Sequence, residues 1–137
     1  MRRVVVDANV LVSFFVKRNA QQSDAAEELL QQAEEGWIIA IVPQFVVFET
    51  TYVLQSHYEI TGERLAGVIQ AVVMFPGVLV IDDCPWKRVF DLWPGPLASL
   101  ADAAILATAM TNRYDAIATF DQKLTKRARE LGVAAYW

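Results

Sequence analysis

The fold of this chain is decided by the stretch Val-Val-Val-Asp-Ala-Asn-Val-Leu at positions 4–11. Its three valines form a short, continuously apolar run, and Asp7 ends that run. An uninterrupted apolar run of this length is typical of a strand buried on both faces, as in a parallel sheet covered by helices on each side. The stretch therefore predicts a buried strand that ends at an acid.

Four further apolar segments, each flanked by turn or capping residues, have the length of buried strands. The five predicted strands are Arg3–Val6, Trp37–Val42, Val78–Ile81, Ala116–Phe120 and Val133–Tyr136. Helical patterns and helix-capping residues lie between them and predict helices over Asn9–Val16, Ser23–Glu35, Gln44–His57, Thr61–Phe75, Ser99–Asn112 and Gln122–Leu131. This alternation predicts a three-layer α/β sandwich in which a mainly parallel five-stranded sheet is flanked by helices.

Length and composition limit the class of protein. The 137 residues suit a single domain over residues 1–137, and hydrophobic residues make up 55% of the chain. No apolar run approaches the roughly 18 residues that a membrane span needs, and no secretory signal is visible. Cys84 is the only cysteine, so no intrachain disulfide can form and we expect a cytoplasmic protein.

The net charge of −4 argues against a simple nucleic-acid-binding protein, because such proteins are usually basic. It argues less against a metal-dependent nuclease, whose active site is acidic before the metal binds. Four basic residues close together could still contact RNA, although a solvated helix face would have the same composition. They are Lys123, Lys126, Arg127 and Arg129.

Four acids lie in apolar surroundings, where a carboxylate is costly unless something compensates its charge. Asp7 and Asp121 follow predicted strands, and ligands gather at the carboxyl ends of strands in parallel sheets. Glu49 interrupts an apolar stretch on a predicted helix, and Asp102 opens another. A divalent cation is the simplest compensator, so the pattern predicts a metal site.

Each acid also has a purely structural interpretation. Asp7 and Asp121 are favoured N-cap residues, and Ser99 with Asp102 has the spacing of a capping box. Glu49 could reach water from the rim of its helix, although no basic residue lies at helical spacing to pair with it. The neighbours of Glu49 at such spacings are Phe45, Val46, Tyr52 and Val53.

The types of residue present in the chain exclude several kinds of catalytic and metal site. His57 is the only histidine, so a two-histidine ribonuclease mechanism is impossible within one chain, and zinc sites built from cysteine and histidine are excluded. A Ser-His-Asp triad, a P-loop and a G-x-G-x-x-G loop have no motif support. What remains is ligation by oxygen alone, which suits Mg²⁺ or Mn²⁺.

The four acids and their flanks resemble those of PIN-domain ribonucleases of the kind found in VapC-like toxins. The matching segments are Val-Val-Val-Asp7-Ala-Asn9-Val-Leu, Phe48-Glu49, Leu100-Ala-Asp102-Ala-Ala-Ile105 and Thr119-Phe-Asp121. Each segment is short, but the four occur in the family's order, and the resemblance covers essentially the whole chain.

The resemblance implies a site and a reaction. Asp7, Glu49, Asp102 and Asp121 would hold Mg²⁺ or Mn²⁺, and Asn9 and Thr119 match the family's supporting polar positions. The family cleaves RNA phosphodiester bonds with metal-activated water, and either Asp7 or Asp102 would orient or deprotonate that water.

The resemblance also implies partners, namely an RNA substrate, a small antitoxin protein and a second copy of the chain. Apolar residues such as Phe14, Phe15, Trp86 and Trp93 fit a partner surface and fit additional core equally well.

Two other functions stay open. The chain could be a non-catalytic PIN-like binding or dimerisation module in which the acids only cap helices. It could also be a phosphotransfer or phosphatase domain with Asp7 as the nucleophile, although Asn9 stands where such a domain would have a second aspartate.

Overall fold

The computed structural model describes residues 1–137, which form four strands and seven helices. In chain order these are β1 (Arg2–Val6), α1 (Ala8–Phe15), α2 (Ala20–Glu34), β2 (Ile38–Pro43), α3 (Gln44–Tyr58), α4 (Gly62–Val73), β3 (Val78–Ile81), α5 (Trp86–Leu92), α6 (Leu100–Asn112), β4 (Ala116–Ala118) and α7 (Gln122–Glu130). The predicted α/β class is therefore confirmed.

The sheet has the order β3-β2-β1-β4, and every neighbouring pair of strands is parallel. Helices α2 and α3 pack against β2, while α6 packs against β1 and β4. The central strands are buried, since Val4, Val5 and Val6 are fully inaccessible to solvent. The continuous valine run is thus explained by a strand that contacts side chains on both faces of the sheet.

The sheet has four strands, whereas the sequence predicted five. The segment 133–136 contributes only an isolated parallel bridge between Ile117 and Ala135. Ile117 donates to the carbonyl of Ala134 at 3.0 Å and accepts from the amide of Tyr136 at 2.8 Å. A longer ladder cannot form there because β4 ends at Ala118, two residues before the predicted end.

The helices begin and end close to the predicted positions, with two differences. α2 begins at Ala20 because the side chain of Asn19 accepts the amide of Gln22 at 3.0 Å and caps it. α5 was not predicted at all, because its seven residues bury only Val89 and Leu92, too few to give a helical period. No helix combines the length and apolar composition required to cross a bilayer.

The pairing of β1 with β4 determines where the predicted site lies. Val6 is level with Ala118, and the amide of Asp7 donates to the carbonyl of Ala118 at 2.9 Å. The next residues of both strands, Asp7 and Thr119, consequently emerge side by side at the carboxyl edge of the sheet.

Candidate active site

Asp7 is held in a buried position by three donors. Its Oδ1 accepts the backbone amide of Ala8 at 2.8 Å, and its Oδ2 accepts the hydroxyl of Thr119 at 2.8 Å and the side-chain Nδ2 of Asn9 at 3.3 Å. The residue is only 7% exposed, and this burial raises its pKa despite the opposing hydrogen bonds. Asp7 therefore caps α1, as one interpretation held, and faces the carboxyl edge as well.

Asn9 and Thr119 tie the ends of β1 and β4 together. Thr119 Oγ1 accepts from Asn9 Nδ2 at 3.1 Å and from the amide of Asp121 at 3.1 Å while donating to Asp7. Asn9 Oδ1 accepts the amide of Phe120 at 3.1 Å. These bonds hold Asp7 and the residues before Asp121 in one rigid arrangement.

Asp121 caps α7 with one of its two carboxylate oxygens. Oδ1 accepts the amides of Lys123 at 2.9 Å and Leu124 at 3.2 Å. Oδ2 accepts no hydrogen bond, so the capping interpretation of Asp121 leaves one oxygen available to a ligand.

Asp102 lies in the first turn of α6, where Ser99 caps the helix. Ser99 Oγ accepts the backbone amide of Asp102 at 3.2 Å, but the Asp102 carboxylate accepts no hydrogen bond in return. The second hydrogen bond of the predicted capping box, from the backbone amide of Ser99 to the Asp102 carboxylate, is thus absent. Burial, together with the negative charges of Asp7 and Asp121, raises the pKa of Asp102 to about 6.

Glu49 is half-buried on α3 and also accepts no hydrogen bond. Its pKa is raised by burial first and then by the charges of Asp7 and Asp102. The predicted apolar stripe around it is only partly buried, because Tyr52 is 65% exposed. Tyr52 points to solvent because α3 packs on α1, α4 and β2 with its opposite side.

The four acids therefore lie near enough to influence one another electrostatically, and none of them forms an ion pair with a basic side chain. No three acidic, cysteine or histidine side chains come close enough to form a metal-binding cluster as they stand.

The donor set nevertheless fits a hard divalent cation. Asp102 and Glu49 have free carboxylates, and Asp121 has one free oxygen. All of these are oxygen donors, and Mg²⁺ and Mn²⁺ prefer such ligands.

A basic groove of about 570 Å³ borders Asp102 and Asp121. We use this name for the space between the 96–99 segment and α7, which is lined by Lys123, Lys126 and Arg127 and also by Glu130, the ion-pair partner of Arg127 at 2.9 Å. Arg129 lies elsewhere and donates to the carbonyl of Trp137 at 3.4 Å. Three of the four basic residues singled out from the sequence thus lie beside the acids.

The sequence reasoning missed the contribution of α5 to the surroundings of the site. Trp86, at the start of α5, lines a cleft together with Glu49. The only sequence signal for this helix was the three-residue spacing of Val89 and Leu92. Of the four aromatic residues considered for a partner surface, Trp86 is exposed, whereas Phe14, Phe15 and Trp93 pack against the core.

Comparisons with known proteins agree with this architecture. The family model described as "PIN domain" matches residues 4–130. The crystal structure of Mycobacterium tuberculosis VapC20, described as a sarcin-ricin loop cleaving toxin, superposes with a TM-score of 0.71 at 16% sequence identity, covering 96% of each chain. Comparison with curated proteins gives no significant match. The order and pairing of the strands, the acids at the carboxyl edge and the match over almost the whole chain lead to one assignment: this chain belongs to the PIN domain family.

Proposed function

We propose that this protein is an endoribonuclease that depends on Mg²⁺ or Mn²⁺, hydrolyses RNA phosphodiester bonds and acts as the toxin of a type II toxin–antitoxin pair. One observation carries the proposal: Asp7, Glu49, Asp102 and Asp121 come from four different elements, and burial and mutual repulsion raise the pKa of three of them. Sites with such perturbed acids are commonly functional.

Asp7, Glu49, Asp102 and Asp121 would hold the cation. When bound, a divalent cation lowers the pKa of a water ligand and stabilises negative charge on phosphate oxygens. Asn9 and Thr119 serve as supporting residues, because their hydrogen bonds hold the Asp7 carboxylate in one orientation. Because these hydrogen bonds come from the protein itself, they reduce the reorganisation needed for catalysis.

Asp7 and Asp102 differ in how many hydrogen bonds their carboxylates already accept, and therefore in how readily each can accept a proton from water. The Asp7 oxygens already accept three hydrogen bonds, whereas the Asp102 carboxylate accepts none. Of the two residues that the resemblance suggests for orienting or deprotonating water, Asp102 is therefore the better placed. Asp7 acts mainly as a fixed anionic ligand.

The basic groove supplies the attraction for RNA that the net charge of −4 does not. Lys123 and Lys126 are exposed and lie in that groove with Asp102 and Asp121. Phosphates on one side of the cleaved bond would contact these lysines while the cleaved phosphate lies at the acids.

The hydrogen bonds argue against both other functions. A phosphotransfer domain would have a second aspartate where Asn9 stands, and the side chain of Asn9 is committed to hydrogen bonds with Asp7, Thr119 and the amide of Phe120. A non-catalytic module would explain the capping roles of Asp7 and Asp121 but not the partial burial of Glu49 and Asp102, whose carboxylates accept no hydrogen bond.

The toxin role extends the nuclease proposal. It is supported by the likeness in fold to VapC20, which is described as a toxin. We propose in addition that a small antitoxin and a second copy of the chain bind this protein, that it acts in the cytoplasm, and that residues 1–137 form one domain. Large exposed apolar side chains such as Phe48 and Phe90 are available for the protein contacts.

The test is cleavage of RNA by the purified protein with Mg²⁺, with Mn²⁺ and with a chelator. We expect cleavage only with metal and a loss of at least about 100-fold in Asp7→Asn, on the order of 3 kcal/mol in the activation barrier. Asp24→Asn, on the exposed face of α2, is the matched control and should cleave normally. Equal activity of Asp7→Asn and the unsubstituted protein would refute the proposal.

A further inference from the structure

An apolar cleft of about 430 Å³ is lined by Glu49, one of the four acids, and shares no lining residue with the basic groove. It is lined by Phe45, Glu49, Cys84, Trp86, Leu100, Ala101 and Ala104. Glu49 is the only charged member, and Ala101 directly precedes Asp102. The cleft is therefore continuous with the proposed catalytic site, and the structure describes no side chain that fills it.

The two spaces that border the acids differ in chemistry. The basic groove is lined by three cations, and because Arg127 is paired with Glu130 at 2.9 Å, Lys123 and Lys126 are the two that are free to contact phosphates. The apolar cleft contains no cation, and six of its seven lining residues are hydrophobic. Consider a polynucleotide whose cleaved phosphate lies at the acids. It can occupy both spaces favourably only if its charged backbone follows the basic groove and one of its bases enters the apolar cleft.

We propose that this apolar cleft binds one unpaired nucleobase of the RNA substrate next to the cleaved bond, an inference that rests on the nuclease function proposed above. Its volume is within the range of small-molecule sites. Trp86 provides a half-exposed indole face on which a base can stack, and Leu100 and Phe45 provide apolar walls.

This site determines which RNAs are cleaved. A base can enter the apolar cleft only if it is unstacked and unpaired, as in a loop, a bulge or a single strand.

The experiment combines a protein variant with removal of a single base. The substrate is a single-stranded oligoribonucleotide, selected from a random-sequence pool, that the unsubstituted protein cleaves at one bond. A series of abasic versions lacks one base at a time on either side of that bond. We expect one abasic position to lower kcat/KM by roughly tenfold or more, the size of one stacking contact.

We expect Trp86→Ala to cleave the intact oligonucleotide about as slowly as the unsubstituted protein cleaves the abasic one. Removal of the same base should not lower kcat/KM of Trp86→Ala any further. Trp86→Phe should restore most of the activity. Trp37→Ala is the matched control, because Trp37 is 67% exposed, against 52% for Trp86, and precedes β2 at the opposite edge of the sheet. The control should keep the full abasic effect.

The outcomes separate this inference from the proposed function. Normal cleavage by Trp86→Ala, or additive effects of the variant and the missing base, would overturn the inference and leave the nuclease intact. Sedimentation that shows a dimer dissociating in Trp86→Ala, with cleavage unchanged, would assign the apolar cleft to a second copy and also overturn it. If the unsubstituted protein cleaves nothing in the pool, the nuclease function fails, and this inference fails with it.

Discussion

The hydroxyl of Thr119 donates to Oδ2 of Asp7 at 2.8 Å across 112 positions of sequence. The same hydroxyl accepts the amide of Asp121 at 3.1 Å. A single buried threonine thus holds one proposed metal ligand and the backbone of another. The bond forms because β1 and β4 are adjacent parallel strands that end at the same edge.

Thr119→Val should therefore change both stability and activity. The substitution removes a hydrogen bond that lowers the pKa of Asp7, so the pKa of Asp7 rises further. We expect the acid limb of the cleavage pH profile to move to higher pH, and the free energy of unfolding in urea to fall by about 1–3 kcal/mol.

Thr108→Val is the control for that substitution. Thr108 is equally buried, and its hydroxyl donates to the carbonyl of Ala104 at 2.7 Å within α6. It should lower stability without moving the pH profile. An acid limb that moves equally in both variants would show that Thr119 acts only through stability.

Asp102→Asn should stabilise the metal-free protein at neutral pH. The pKa of Asp102 is raised from 3.8 in the unfolded chain to about 6 in the fold, so the folded state binds the proton more tightly. The free energy of unfolding contributed by this group is highest at low pH and is lost as pH rises from about 4 to about 6. An asparagine at this position cannot ionise, so the variant does not lose this contribution to the free energy of unfolding as pH rises.

The measurement is urea unfolding in chelator at a series of pH values. The two proteins should be equally stable near pH 4, and Asp102→Asn should be more stable by about 1 kcal/mol at pH 7, after allowance for solvent screening of a half-buried group. Asp91→Asn, at an exposed position of α5, should show no such divergence. A less stable Asp102→Asn at pH 7 would contradict the proposed crowding of the acids.

Binding of Mn²⁺ should raise the melting temperature of the unsubstituted protein. A ligand that binds only the folded state at 100 times its Kd adds about 2.7 kcal/mol to the free energy of unfolding. We expect Glu49→Gln to reduce this gain, because it removes one free carboxylate. Glu63→Gln, an exposed residue in the first turn of α4, should retain it. A melting temperature that is independent of Mn²⁺ would favour the non-catalytic module.

Lys126→Ala should weaken RNA cleavage in a manner that depends on salt. If Lys126 contacts a phosphate, its removal should lower kcat/KM at low salt and reduce the slope of log(kcat/KM) against log[salt] by about 0.7, the value for one contact to single-stranded RNA. Arg64→Ala, an exposed cation on α4, is the control and should leave the slope unchanged. An unaltered slope in Lys126→Ala would mean that the exposed face of α7 is merely solvated.

Much of the fold could be predicted from local patterns. The valines at positions 4–6 predicted a buried strand, and Asp7, Asp102 and Asp121 were singled out because they stand at the ends of apolar or capped segments. These are short-range properties, since a strand's burial and a helix's first turn depend on residues within a few positions of each other. Asn9 and Thr119 were named through the resemblance to the PIN-domain family.

The sequence by itself determined the α/β class, the parallel sheet and the identity of the acids, because hydrophobic periodicity and capping chemistry are local. Only the tertiary structure decided that Thr119 joins Asp7 to Asp121, that Asp102 keeps a free carboxylate, and that Trp86 borders Glu49. The order β3-β2-β1-β4 and the packing of α5 against α6 bring these residues together from distant positions. Such contacts arise from packing and strand register, which no short stretch of sequence encodes.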